Sequence, residues 1–310
     1  MNVDHANTHG AFDDKVAPVK QSNLCCEINL PTKPLESIVD EHGEISLCTL
    51  SAINWGNIKK PDDFKKPCEL AVRALDALLD YQKYPVLAAE ASTMKRRPLG
   101  IGIINLAYWI AKNDMSYQDI DEKGLAKIDE WAEAWSYYLI KASADLAQEK
   151  GMISGNNETK YGLGITPNQT YKKEVDELVP HVERMDWEGL RTQLKRTGIR
   201  NSTLMALMPA ETSAQISNST NGVEPPRAFV SVKQSKHGVL RQVVPGFARL
   251  KNKYDLLWQQ RSPEGYIKIM AVLQKYIDQG ISVNTSYNPE YFEDEKIPMS
   301  AMLKHLIMCY

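Results

Sequence analysis

The sequence predicts a single α/β domain with parallel strands, on three observations. Short β-prone runs at 45–54, 201–208 and 281–287 are separated by long stretches whose apolar residues recur at helical spacing. Strands that alternate with helices along a whole chain are joined by crossovers, which makes neighbouring strands parallel. With 310 residues, 43% of them apolar, the chain can bury a sizeable core, and no repeat, low-complexity tract or linker divides it.

Taken in order, the first twenty residues lack apolar periodicity and read as loop. Residues 45–54 (Ile-Ser-Leu-Cys-Thr-Leu-Ser-Ala-Ile-Asn) read as a buried strand ending at Gly56, with Cys48 inside it. Pro61-Asp62-Asp63 opens a helix whose apolar face is Ala71, Ala74, Leu75 and Leu78. Residues 98–112 fit strand or helix equally, and periodicity does not choose. Ile128, Trp131, Trp135, Tyr138, Ala142 and Leu146 stripe a long helix. Residues 151–168 are turn-rich, and 186–196 are helical through Trp187, Leu190 and Leu194. The 201–208 strand stops at Pro209. Residues 229–233 and 239–244 alternate about Ser235-Lys236-His237-Gly238, a hairpin signature. Helices follow at 264–279 and 299–309, with the 281–287 strand between them.

Charge excludes some classes. The 37 basic and 39 acidic residues leave a net charge of −2, so no basic field attracts nucleic acid. Lys59-Lys60 and Lys95-Arg96-Arg97 are short and read as solvated loop charges. No apolar run reaches the ~18 residues of a membrane span, since Gly100, Gly102 and Asn105 interrupt the best candidate. The polar amino terminus (Met1-Asn2-Val3-Asp4-His5) lacks a signal-peptide pattern, so the expected location is the cytoplasm, with no membrane partner. Five cysteines, at 25, 26, 48, 68 and 309, suit reduced thiols, and none has zinc-site spacing. His5 and His9 are four apart without a helix signature and read as a solvent-facing pair; no metal site is expected.

Two constellations carry chemistry. In an extended segment alternate side chains share a face, roughly 6–7 Å apart. That sets Asn23, Cys25 and Glu27 together and sends Leu24 and Cys26 the other way, with Cys26 a packing residue. An amide, a thiol and a carboxylate on one face can orient, abstract and accept a proton. Cys48 reads either as a small buried hydrophobe or as a redox thiol. The second constellation is Pro209-Ala210-Glu211-Thr212-Ser213-Ala214-Gln215, where a strand end leads into a short helical stretch. Free N–H groups there suit a phosphate; an ordinary helix start explains them equally. Cys68 and Cys309 read as helix packing residues, and Gly100-Ile101-Gly102 lacks the third glycine of a dinucleotide fingerprint.

The run Gln21-Ser22-Asn23-Leu24-Cys25, with Glu27 and Leu30-Pro31-Thr32-Lys33-Pro34-Leu35, resembles the radical-cysteine loop of class I ribonucleotide reductase large subunits. The stretch from Gln215 to Pro226 (Gln-Ile-Ser-Asn-Ser-Thr-Asn-Gly-Val-Glu-Pro-Pro) resembles the family segment after the phosphate loop. The resemblance extends through Leu47-Cys48-Thr49-Leu50-Ser51-Ala52, Arg73 to Gln82 and Leu240 to Pro245.

The resemblance implies a role for each matching residue. Cys25 would become a thiyl radical, Glu27 would act as general base, and Asn23 would hold the ribose. Cys48 would supply half of a reducing dithiol. Ser22, Asn23, Glu27, Glu211, Thr212 and Ser213 would contact a nucleoside diphosphate. Ala210 stands where bacterial relatives often carry serine, and the charge of Glu211 suits a phosphate poorly. The family fold is a ten-stranded α/β barrel. Residues 1–310 would form its second half, with the central radical-cysteine loop near the start and the domain cut short at both ends. No cofactor would bind directly: a metal-containing small subunit would supply the radical, and an external thiol of thioredoxin or glutaredoxin type would restore the dithiol. Activity would need a complementary chain carrying the amino-terminal half. A non-catalytic nucleotide-binding or assembly module is the alternative; a thiol hydrolase would need a histidine that the sequence does not nominate.

Overall fold

The computed structural model describes residues 3–40, 42–236 and 238–310. Met1 and Asn2 of the polar terminus and His237 of the hairpin turn lie outside the described residues. Along the chain come α1 Val3–His9, β1 Thr49–Asn54, α2 Lys65–Tyr81, α3 Leu87–Arg96, β2 Leu99–Ile104, α4 Leu106–Lys112, α5 Glu122–Lys150 and α6 Pro167–Thr170. Then follow α7 Trp187–Thr197, α8 Glu211–Ile216, β3 Val230–Ser235, β4 Gly238–Val243, α9 Phe247–Leu250, α10 Glu264–Gln274 and α11 Met299–Cys309.

β1 and β2 pair in parallel, Thr49 opposite Leu99 through Asn54 opposite Ile104. On the other side of β2 the backbone of 203–205 runs alongside, with Leu99 N–H donating to Thr203 at 3.1 Å and Ile101 N–H to Leu204 at 2.7 Å. Leu207 in turn donates to the Gly280 carbonyl at 3.1 Å and accepts from Ser282 at 3.0 Å. Four extended segments thus lie side by side, and their bridges are parallel. They do not close into a barrel among the described residues. β3 and β4 form a separate antiparallel hairpin, Ser235 opposite Gly238, as the alternating pattern anticipates.

Helices cover the sheet. α5 buries residues on every face, among them Ile128, Trp131, Trp135, Leu139, Ala142 and Leu146. Trp55, Trp109, Trp131, Trp135 and Phe64 pack their rings together at centroid spacings such as 4.8 Å for Trp109 and Trp131. Aromatic pairs in tilted or edge contact add attraction beyond their buried area. The 98–112 ambiguity resolves into both states: β2 ends, Asn105 takes a left-handed conformation at φ 67°, and α4 begins.

Several expectations are corrected. The first twenty residues are not all loop: α1 forms there, anchored because Asn7 pairs with both backbone groups of Val19 at 2.7 and 3.0 Å. His5 and His9 therefore sit on a helix, their ring centroids 5.6 Å apart, with His9 Nδ1 against the Thr170 carbonyl. The first strand begins at Thr49, so Cys48 precedes it. Continuing the register would set Cys48 opposite Pro98, which has no N–H to offer a ladder. On α2 the buried stripe is Cys68, Val72, Leu75 and Leu79, while Leu78 is exposed, because α5 packs on the other apolar stripe. The 201–208 run is buried but bridges only through Met205 and Leu207, and 281–287 bridges only at Ile281. α10 stops at Gln274.

Arg96 and Arg97 are buried rather than solvated. Arg96 lies 2.7 Å from Glu44 and 2.8 Å from Glu158, and Arg97 lies 2.6 Å from both Asp76 and Asp80. Buried charges persist only when paired in this way. Cys309 and Cys26 are exposed, so neither packs; Cys68 is buried as expected.

Candidate active site

Residues 23–26 form a turn, which overturns the extended geometry expected for Asn23, Cys25 and Glu27. Cys26 N–H donates to the Asn23 carbonyl at 3.1 Å, and Cys26 takes a left-handed φ of 65°. The Asn23 side chain competes for the backbone, as asparagine does in turns. Its Oδ1 accepts from Ile28 N–H at 3.1 Å, and its Nδ2 donates to Glu27 Oε1 at 2.9 Å. Ser22 Oγ closes the base of the loop by donating to the Ile28 carbonyl at 2.8 Å. The turn therefore brings Asn23 and Glu27 together by folding back, with half-buried Cys25 in the chain between them. Leu24 points into solvent at 97% exposure.

Glu27 is only 2% exposed, yet its Oε2 has no hydrogen-bond partner. A buried carboxylate oxygen without a donor is uncommon, and it marks a group able to accept from a bound molecule.

The sheet holds this turn from below. Gly280 N–H donates to the Glu27 carbonyl at 2.8 Å, and Asn29 N–H donates to Gln279 Oε1 at 3.3 Å. Gln279 Nε2 also reaches Cys48 Sγ at 3.8 Å. Burial pushes the Cys48 thiol well above its ordinary range; the Gln279 hydrogen bond opposes this, and the nearby charges of Asp278 and Glu27 add to it. Cys48 and Glu27 thus share one electrostatic neighbourhood, joined through residues 278–280.

Asp278, which no sequence pattern singles out, lies next to this neighbourhood. Burial raises its carboxyl to about 7, opposed by hydrogen bonds from Met205 N–H at 2.9 Å, Tyr161 Oη at 2.8 Å and Leu204 N–H at 2.7 Å. Its neighbour Gln279 is equally silent in the sequence. An isolated Asp-Gln pair past a helix carries no sequence signal, and its importance comes from the sheet that surrounds it.

The second constellation lies where α8 begins. Glu211, Thr212 and Ser213 are exposed on its first turn, and no side chain caps that turn. Ala210 N–H donates to Asn221 Oδ1 at 3.0 Å, and Glu211 is neutralised by Lys233 at 3.3 Å. The loop after α8 is tied to the carboxyl ends of both parallel strands. Asn54 Nδ2 donates to Ser219 Oγ at 2.8 Å, Asn105 Nδ2 to Asn54 Oδ1 at 3.0 Å, and Thr220 N–H to Asn105 Oδ1 at 3.0 Å. Ligands of α/β sheets collect at those strand ends. Among the described residues, no group of three or more His, Cys, Asp or Glu side chains could hold a metal ion, and no helix is long and apolar enough to cross a membrane.

Sheet and turn together define the class: a parallel α/β protein that packs a cysteine-bearing turn against its strands. Comparison with known proteins then gives the family. A family model described as the ribonucleotide reductase barrel domain matches residues 1–310, and the chain belongs to that family. It is 55% identical over 310 residues to the ribonucleoside-diphosphate reductase subunit alpha of Haemophilus influenzae, covering 100% of this chain and 41% of that protein. The corresponding figures are 53% for ribonucleoside-diphosphate reductase 1 subunit alpha of Escherichia coli (100% and 40% covered) and 43% for the subunit alpha of Enterobacteria phage T4 (98% and 40% covered). The chain spans about two fifths of the length of these relatives.

Proposed function

We propose that this chain serves as part of the alpha subunit of a class I ribonucleoside-diphosphate reductase, converting ribonucleoside diphosphates to 2′-deoxyribonucleoside diphosphates. The observation that carries the reading is the Asn23–Glu27 bond around Cys25, with the second Glu27 oxygen buried and free to accept a hydroxyl proton. In this reading the chain holds the second half of a ten-stranded barrel, with the radical-cysteine loop near its start.

The residues divide the work. A Cys25 thiyl radical takes the hydrogen atom from C3′ of the ribose, and Glu27 takes the 3′-hydroxyl proton within hydrogen-bond reach. The 2′-hydroxyl leaves as water after gaining a proton. Cys48 and a second thiol then give up two electrons and two protons, forming a disulfide, while C2′ gains hydrogen. Glu27 returns its proton to the 3′-oxygen, and Cys25 returns its hydrogen atom to C3′ and is again a radical, so that of the dithiol's two protons one has left in water and one stands on C2′. Asn23 and Ser22 fix the turn that presents these groups, and the N–H groups of Glu211, Thr212 and Ser213 at the start of α8 hold the diphosphate.

Three partners complete the cycle: a complementary chain with the rest of the alpha subunit, a small subunit whose metal centre is the radical source, and an external thiol of thioredoxin or glutaredoxin type. A cycle that runs on reduced thiols suits the cytoplasm, where thiols are kept reduced.

The test is turnover of a nucleoside diphosphate by this chain combined with those partners. Cys25→Ser should abolish it, and Glu27→Gln should slow it by roughly 10²–10⁴, the usual contribution of a positioned general base. Unchanged turnover with Cys25→Ser would overturn the radical role. Tight diphosphate binding without turnover in the unaltered assembly would favour a nucleotide-binding module.

A further inference from the structure

Three buried side-chain systems stand out in the core: the Asp76 cluster, the Lys275–Asp129 pair and the amide of Gln279. The first two are closed on themselves by opposite charges. Only Gln279 reaches both cysteine-bearing segments.

We propose that Gln279 is a positioning residue that locks the Cys48 sulfur and the 23–29 turn in one fixed relation. Its side chain spends every group on that task. Oε1 accepts from Asn29 N–H at 3.3 Å, which fixes the end of the turn. Nε2 carries two hydrogens, one directed to the Leu99 carbonyl at 3.0 Å and one to Cys48 Sγ at 3.8 Å. Gln279 is 4% exposed, so water does not compete for these partners. The next residue repeats the link through the backbone, since Gly280 N–H holds the Glu27 carbonyl at 2.8 Å.

The sulfur also lies against β2. A Cβ placed on Gly100 of β2 would stand 3.0 Å from Cys48 Sγ, so the thiol occupies space that only glycine leaves open. Cys48 is half-buried, and its sulfur is met by Gly100 and by the Gln279 amide. The groups that act on its charge are Asp278 and Glu27, both acidic, and the Gln279 donor. Burial and both carboxylates disfavour a sulfur anion, and the amide hydrogen bond favours it, the form in which a thiol attacks or leaves a disulfide.

The catalytic value of this clamp rests on the reductase reading above; its physical core does not, and the experiment separates the two. Alkylation of each cysteine of the full chain is followed against pH by peptide mass spectrometry, without turnover. Gln279→Leu removes the donor without adding charge, and Gln279→Glu places a carboxylate beside the sulfur. At pH 9 alkylation of Cys48 should slow by roughly threefold to tenfold in the leucine variant, the worth of one hydrogen bond, and further in the glutamate variant. Exposed Cys26 and Cys309 should keep their profiles. An unchanged or faster Cys48 reaction in a folded variant overturns the proposal.

A second measurement needs no variant. Alkylating Cys48 in the native chain should displace the Gln279 amide and speed hydrogen exchange at Asn29, whereas labelling only Cys26 and Cys309 should not. Unaltered exchange at Asn29 after Cys48 is labelled overturns the clamp even where both variants fail to fold. Absence of turnover in the unaltered assembled enzyme, with the Cys48 effects present, would instead count against the reductase reading alone.

Discussion

Gly280 donates its N–H to the Glu27 carbonyl at 2.8 Å, so a residue of the sheet grips the cysteine-bearing turn through backbone alone. The approach is close: a Cβ on Gly280 would lie 2.9 Å from the Cys26 carbonyl oxygen and 3.0 Å from Asn29 Nδ2. Gly280→Ala must push the turn away from the sheet. Overpacking of this kind costs about 1–3 kcal/mol, and misplacing reacting groups by about 1 Å lowers rates about a hundredfold. The expected result is a folded chain with turnover reduced at least about tenfold in the assembled enzyme. Wild-type turnover would show that the contact does not set the geometry.

The Asp76 carboxylate is fully buried and meets Arg97 at 2.6 Å, Arg200 at 3.3 Å and Asn201 Nδ2 at 3.2 Å. These bonds join α2 to the turn before β2 and to the 201–208 run. Asp76→Ala leaves the buried Arg97 guanidinium with only Asp80 as a charged partner. Breaking a buried pair in this way costs about 3–5 kcal/mol. Denaturant unfolding should show a loss of that order, and a loss under about 1 kcal/mol would mean that the cluster relaxes or hydrates freely.

Glu44 supplies a pH test. Burial pushes its carboxyl up, but Arg96 at 2.7 Å, with Lys33 and Lys95, holds it down to about 2, from an ordinary value of 4.5. A carboxyl depressed in the folded state adds stability that is present above its unfolded value and is lost as pH falls through the folded one. The contribution, a few kcal/mol by order of magnitude, should therefore be complete at pH 6 and disappear between about pH 4.5 and 2. Unfolding of wild type and Glu44→Gln, compared at pH 6 and near pH 2.5, should show the gap between them shrink. A gap that stays constant would assign the difference to packing.

The sequence by itself determined most of the long helices, the hairpin and the residues that match the family, though not α1 or the division of 98–112 into strand and helix. The α5 stripe, α7 from Trp187, the β3–β4 hairpin and the short helix after Pro209 all stand where residue patterns place them. Those patterns are local, because side-chain spacing and turn chemistry act within a few residues.

Only the tertiary structure decided how the segments meet. α2 carries two apolar stripes, and packing against α5 selects Cys68, Val72 and Leu79 over Ala74 and Leu78. Residues 23–27 alternate like a strand, yet the Asn23 amide bonds to Ile28 and Glu27 and bends them into a turn. Cys48 falls just outside β1 because of Pro98 on a segment fifty residues away, and Gln279 matters only because the sheet sets it between Cys48 and Asn29. Apolar periodicity says that a face is buried and is silent on its partner. Strand register and the placement of a site depend on hydrogen bonds between distant segments, which form only when the chain has folded.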